Sequence, residues 1–511
     1  MIHHYIMLTK LNSVAVIGLN PQLVEAEVDV SMGDPNFFIV GLGDTAIQEA
    51  KLRVRLAIKN CGFYFPWSKR IVINLAPADF KKEGAAYDLA MAVGILLDVF
   101  ELNLNLKDSL FIGELSLEGN LRHTNSILPA VIFAQEQGFK NVFVPYINAQ
   151  EANLIKGLNI FPVRNLMEIM DHLTGKILIE PSKSKGDLNF ESDDEFEVDM
   201  AYIAGQEHVK RALEIAASGA HNILMSGPPG AGKTLLAKAT ASIMPKMTFE
   251  EILEVTKIYS VAGLLPHNNP LITKRPFRSP HHSASGVSLV GGGRIPKPGE
   301  ISLAHRGVLF LDEFTEFPRK VLENLRQPLE DGLVSIARAM GTLTYPARFI
   351  LIAAQNPCPC GFASDLQQQC TCSPSQIIKY QQRVSGPIID RIDLQIEVPR
   401  LSFEKLTSEK VAESSAAIRQ RVELAREIQQ KRFAALPFMY NAEMRPQDIK
   451  EFCQVDAQGL ALLKNAVNQF HLSGRAYHRI LKLSRTIADL ENAENIKTPH
   501  LAEALQYRFN R

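Results

Sequence analysis

Residues 227–234 read Gly227, Pro228, Pro229, Gly230, Ala231, Gly232, Lys233 and Thr234, which fills the pattern G-x-x-x-x-G-K-[ST]. The run Asn222–Met225 ahead of it predicts a buried strand, and Leu235–Ile243 behind it predicts a helix. A strand, a glycine loop and a helix in that order constrain the chain to a P-loop α/β fold. The glycines let backbone N–H groups crowd around phosphate oxygens, and the helix N-terminus adds a partial positive charge. Lys233 is placed to reach the outer phosphates, and the Thr234 hydroxyl to hold Mg²⁺. The stretch predicts a site for a nucleoside triphosphate with Mg²⁺.

The chain has 511 residues, room for about three domains. With 55 basic and 55 acidic residues, overall charge argues for no particular partner, and any basic surface has to be local. No apolar run approaches the ~20 residues of a membrane span. No basic stretch followed by a cleavable apolar one opens the chain, and Met7 is an alternative start because patterned sequence begins near Leu8. Four of the six cysteines fall within fifteen residues, the usage expected of a reduced, cytoplasmic protein with one candidate metal site.

Along the chain, residues 1–176 alternate strand-like and helical runs. Val24–Val30, Asn36–Val40, Arg70–Asn74 and Asn141–Val144 predict strands; Thr45–Asn60, Ala86–Phe100 and Ile127–Gln137 predict helices. Residues 177–199 turn acidic and polar and predict a linker, with little that can be buried. Residues 200–400 hold the P-loop and further apolar strands at Gly307–Leu311 and Arg348–Ala354. Strands separated by helices predict a doubly wound parallel sheet. Residues 401–511 read as helical.

The run Gly307–Leu311 feeds Asp312 and Glu313, so a buried strand delivers one carboxylate to the Mg²⁺ shell and another to polarise a water. Asn356, at the tip of the next apolar strand, is an amide placed to orient that water; a turn-forming Asn ahead of Pro357 is the plainer reading.

These motifs together resemble an AAA+ ATPase. Three segments, RPFRSPHHSAS (275–285), GGGRIPKPGEISLAHRGVLFLDE (291–313) and SGPIIDRIDLQIEVP (385–399), resemble the YifB/ComM family of magnesium-chelatase-like AAA+ ATPases. So do FFIVGLGDTAIQEAKLRVRLAIKNCGFYFP (37–66) and INLAPADFKKEGAAYDLAMAVGIL (73–96). The resemblance implies a Lon-protease-like N-terminal α/β domain, an AAA+ core and a C-terminal helical lid. It also implies that Arg391 is an arginine finger reaching a neighbouring subunit and that Arg475 is a sensor 2 arginine. A finger supplied in trans implies a ring, a homo-hexamer. A surface salt bridge is the bland alternative for either arginine.

Lys274, Arg275, Arg278, His281, His282, Arg294 and Lys297 crowd a stretch with no acid before Glu300, suited to tracking a phosphate backbone. Subunit contacts are the alternative. Arg338, near the turn of a predicted hairpin over Leu333–Arg348, is a second pore candidate. Cys358, Cys360, Cys370 and Cys372 are four thiols that fit a closed structural Zn²⁺ site or an unmetallated loop. In the Lon-like segments, Ala86 stands at the nucleophile position and Leu128 at the lysine position, so proteolysis is not expected.

The family resemblance implies a hexameric DNA helicase that drives branch migration and heteroduplex extension in natural transformation. DNA, largely without sequence preference, and recombination proteins are the implied partners, with no membrane. A chelatase-type subunit remodelling a protein partner and a non-translocating ATPase scaffold are the rival readings.

Overall fold

The computed structural model describes residues 8–41, 44–80, 82, 84–182, 196–266, 270–293, 296–338, 341–365, 367–401, 412–470 and 472–508. Most of the expected acidic linker therefore lies outside the described residues, as does Arg294. The chain divides into two compact units. One comprises residues 1–190, 252–272 and 337–344; the other comprises residues 191–251, 273–336 and 345–511.

The first unit is built on a seven-stranded mixed sheet. Strands Thr9–Ile17 and Asn20–Ser31 form an antiparallel hairpin, and Arg70–Ala76 adds antiparallel to the second of them. Burial alternates along Asn20–Ser31, the period of a strand with one face in the core. Parallel strands Ser109–Phe111, Asn141–Pro145 and Asn159–Val163 extend the other side. The apolar run expected to be a helix at Ala86–Phe100 forms Asp88–Val99, and residues 88–97 of it are all buried. Gly94 permits its close approach, since a Cβ there would stand 2.6 Å from Val28 Cγ2. The opening strand carries no clear sequence signal, because its polar residues break the alternation. Leu128, at the position where a Lon lysine was sought, is fully buried in helix Ile127–Glu136.

The second unit carries a five-stranded sheet in the order Phe277–Arg278, Val308–Leu311, Ile350–Gln355, Ile223–Ser226, Leu394–Glu397, with every pairing parallel. The first strand in sequence lies inside the sheet, so the chain reverses direction beside it. In open α/β sheets ligands bind at that point, beyond the carboxyl ends of the strands. Helices Ser415–Arg432, Pro446–Phe452, Ala457–Phe470, Gly474–Leu490 and Thr498–Gln506 lie in the expected helical region. Ile480, Leu483 and Ile487 of the fourth join one core with Leu213 and Ile215 of helix Glu207–Gly219. Buried His221 meets Thr486 at 2.8 Å there. Among the described residues no helix is long and apolar enough to cross a membrane. The α/β class with a parallel P-loop core and a helical C-terminal region is thus the observed architecture.

Candidate nucleotide site

The P-loop leaves strand Ile223–Ser226 at its carboxyl end and runs into helix Lys233–Ile243. Gly227 is forced to be glycine, because a Cβ would stand 2.2 Å from the Val398 carbonyl oxygen. Its N–H donates to the Gln355 carbonyl at 3.2 Å, which pins the loop to the adjacent strand. Lys233 Nζ folds back into the loop and donates to the carbonyls of Gly227 (2.6 Å) and Pro228 (3.0 Å) and to Asn356 Oδ1 (3.2 Å). Burial pushes its amine below the ordinary lysine range, with Asp312 opposing. Thr234 Oγ1 donates to Asp312 Oδ2 at 2.7 Å, so the two oxygens expected to hold Mg²⁺ already stand side by side. Lys233, Thr234, Asp312 and Asn356, scattered over 124 residues of sequence, thus converge at one end of the sheet.

Glu313 takes a left-handed backbone (φ 52°), and its N–H donates to Asp312 Oδ1 at 2.9 Å. Its carboxylate pairs with His282 Nδ1 at 2.9 Å, and the His281 ring lies 4.0 Å from that of His282. His282, expected on a DNA-tracking stretch, therefore sits on the candidate base. Its sequence position offered no hint of this partner.

The remaining basic candidates separate. Arg275 is turned inward: it donates to Glu251 (2.8 Å) and to the carbonyls of Pro245 (2.6 Å) and Arg306 (2.7 Å). It is committed to the interior and leaves the set of phosphate-tracking candidates. Arg278 makes a two-pronged pair with Glu300 at 2.6 and 2.7 Å, so it too is held by an acid. Lys274, His281 and Lys297 are exposed, and Lys297 stands on a short ribbon paired with Gly291 and Gly292. The side chain of Arg338, on strand Leu333–Arg338, lies outside the described residues, as does Arg294.

Arg391 and Arg475 are elsewhere. Parallel pairing sets Ile223 against Leu394, so Arg391, three residues ahead, lies at the amino ends of the strands. About 13 Å of strand separates that end from the P-loop. There Arg391 pairs with Glu330 and donates to the Pro387 carbonyl at 2.8 Å, while Arg475 lies 3.6 Å from the same Glu330. Arg479 pairs with Asp393 at 2.5 Å. These residues line a cavity of about 600 Å³. Burial pushes Asp393 up, but Arg479 and His221 override it and hold its carboxyl far below the usual range. One chain does not bring Arg391 or Arg475 to its own Lys233.

The four cysteines converge: their Sγ atoms all lie within 4.8 Å of one another, and none is in a disulfide.

Sequence profiles of three related families match the chain. Residues 199–406 match the one described as magnesium chelatase, subunit ChlI; residues 26–148 match subunit ChlI of Mg-chelatase; residues 412–508 match the ChlI C-terminal family. Competence protein ComM of Haemophilus influenzae is 45% identical over 97% of this chain and 96% of its own length. The uncharacterized protein YifB of Escherichia coli is 41% identical, with the same coverage. The magnesium-chelatase 38 kDa subunit of Rhodobacter capsulatus is 25% identical over 60% of this chain. Fold and site define a magnesium-chelatase-like AAA+ ATPase, for which ATP and Mg²⁺ are the implied substrate and ion. Within that class the chain belongs to the YifB/ComM family.

Proposed function

We propose that this chain is an ATP-driven homo-hexameric DNA motor, a helicase that promotes branch migration and heteroduplex extension during DNA integration in natural transformation. The observation that carries the ring is the division of the site. The phosphate-facing residues occupy the carboxyl ends of the strands, and Arg391 with Arg475 occupies the amino ends of the same sheet. A site with a full complement of charge then takes two copies. The DNA part of the reading rests on likeness to the Haemophilus protein named for competence.

In this reading Lys233 exchanges its carbonyl partners for phosphate oxygens, and Thr234 and Asp312 would hold a Mg²⁺, which would supply neutralisation of the phosphate charge. Glu313, released from His282, takes the proton of the attacking water, which Asn356 orients. The neighbour's Arg391 stabilises charge on the transferring oxygens, with Arg475 supporting it. Lys274, His281 and Lys297, which are exposed, are candidates for contact with the DNA backbone; Arg294 and the Arg338 side chain, outside the described residues, stay candidates on sequence alone. The four cysteines would hold a Zn²⁺ in a structural role, since four thiolates leave no open position. The working division is an N-terminal domain to 176, a linker to 199, the ATPase core to 400 and a helical lid beyond, in a cytoplasmic protein.

The test is ATP hydrolysis by the purified chain, alone and with duplex or branched DNA. Strong stimulation by DNA that is absent in Lys233→Ala and Arg391→Ala supports the motor. Hydrolysis indifferent to every DNA overturns it, and favours a chelatase-type subunit acting on a protein, the reading that likeness to the Rhodobacter subunit suggests.

A further inference from the structure

We propose that the four-cysteine knot is a metal-dependent brace for the P-loop, so that occupancy by Zn²⁺ sets the protein's affinity for nucleotide. The proposal rests on the structural-zinc reading above and adds a function to it. Tetrahedral Zn–S bonds of about 2.3 Å place neighbouring sulfurs about 3.8 Å apart. The observed Sγ separations are 3.3 Å (Cys358 to Cys360), 3.5 Å (Cys360 to Cys370) and 3.7 Å (Cys358 to Cys370). They are far from the ~2.05 Å of a disulfide. The Cys360 N–H donates to Cys372 Sγ at 3.4 Å, which ties the second Cys-x-Cys pair to the first.

What surrounds the knot gives it a task. It begins two residues after Asn356, whose amide holds Lys233. Its next turn brings Gly361, with φ +88°, against the P-loop: a Cβ there would stand 2.6 Å from Pro229 Cδ. Beyond Cys372, Ser373 caps helix Pro374–Gln381. Tyr380 of that helix accepts from Thr315 Oγ1 at 2.6 Å, and Arg383 just past it pairs with Glu316 at 2.8 Å. The knot thus touches the P-loop on one side and anchors, on the other, a helix fastened to the turn that carries Glu313. Between Asn356 and Pro374 the chain has no helix or strand among its described residues; Arg400 tethers it at Asp365 (3.6 Å) and over the Phe362 ring, and four metal bonds would add the closure of the knot itself.

The experiment uses the full chain purified without added chelator. Zinc is counted by elemental mass spectrometry, and affinity for a fluorescent ATP analogue is measured with millimolar Mg²⁺. A chelator selective for zinc over magnesium then strips the metal, and Zn²⁺ is added back. One zinc per chain, about tenfold weaker nucleotide binding on stripping and recovery on add-back support the brace. Gly361→Ala separates the two claims: it is expected to keep its zinc and still lose several-fold in affinity. Gly138→Ala has comparable positive φ (79°) but nothing within 4 Å of the added methyl, so it controls for backbone strain alone. Absence of zinc from the native chain overturns the metal reading. Zinc present, with affinity unmoved by stripping and by Gly361→Ala, overturns the brace while leaving the metal in place.

Discussion

The two ends of the five-stranded sheet are opposites. At the carboxyl ends the polar groups are loosely committed: Lys233 rests on carbonyls, Thr234 on Asp312, and Glu313 on a half-exposed histidine. At the amino ends the charges are paired with acids, two of the pairs in the interior. Arg275 is locked to Glu251, Arg479 to Asp393, and Arg391 with Arg475 to Glu330. One end is built to exchange partners with a ligand. At the other, Arg391 and Arg475 share a half-exposed carboxylate, the arrangement expected of guanidiniums that can change partner. On the proposed reading, site and complement lie at opposite ends of one domain and would suit subunits stacked head to tail around a ring.

The largest test of that contrast is Arg391→Ala. The expected loss in kcat is about a thousandfold, the scale of an arginine finger, with nucleotide affinity nearly unchanged. Mixed with Lys233→Ala subunits, it should regain hydrolysis that neither variant has alone, because intact halves then meet across interfaces. Failure of the mixture to recover would break the comparison. Next comes Glu313→Gln, expected to cut hydrolysis about a hundredfold while nucleotide still binds; equal loss of binding would remove Glu313 from the role of base.

Arg275→Met probes the interior end. It strands a buried carboxylate, for which about 3–5 kcal/mol of stability is the expected loss in denaturant melts, with no specific change in DNA affinity. A pH series sharpens it. Burial pushes Glu251 up, but Arg275 and the Tyr440 hydroxyl override it and hold it at about 2. A carboxyl depressed on folding contributes stability above its ordinary value of 4.5 that is lost as pH falls from there towards 2. The wild-type chain should show that loss by circular dichroism, and the variant should lack it. The smallest effect is His282→Ala. A pair this exposed is worth at most about 1 kcal/mol, so hydrolysis should rise no more than about fivefold as Glu313 is freed. A fall instead would make His282 a support of the base.

Legibility followed distance along the chain. The P-loop and the Asp312–Glu313 strand were readable because each is a contiguous strand and turn, in which local hydropathy and glycine placement decide the geometry. The helix Asp88–Val99 was readable as a long apolar run, although its burial on every side depends on Gly94 lying against Val28. The basic stretch from Lys274 to Lys297 read as one surface and proved to be several environments. Spacing cannot tell that Glu251, 24 residues back, claims Arg275, or that Glu313, 31 residues on, claims His282.

The sequence by itself determined the kind of site, a phosphate cradle followed by paired carboxylates, because that chemistry is written in residues that touch their chain neighbours. It also determined the sheet's parallel character, through apolar strands spaced by helices. Only the tertiary structure decided which end of the sheet each charge occupies, since strand order and register set the partners of Arg391 and Arg475. It likewise decided that two Cys-x-Cys pairs close on each other, with Gly361 beside them against Pro229. Those outcomes depend on chain crossings that no local pattern encodes, and they separate the residues that wait for a ligand from the residues that hold the protein together.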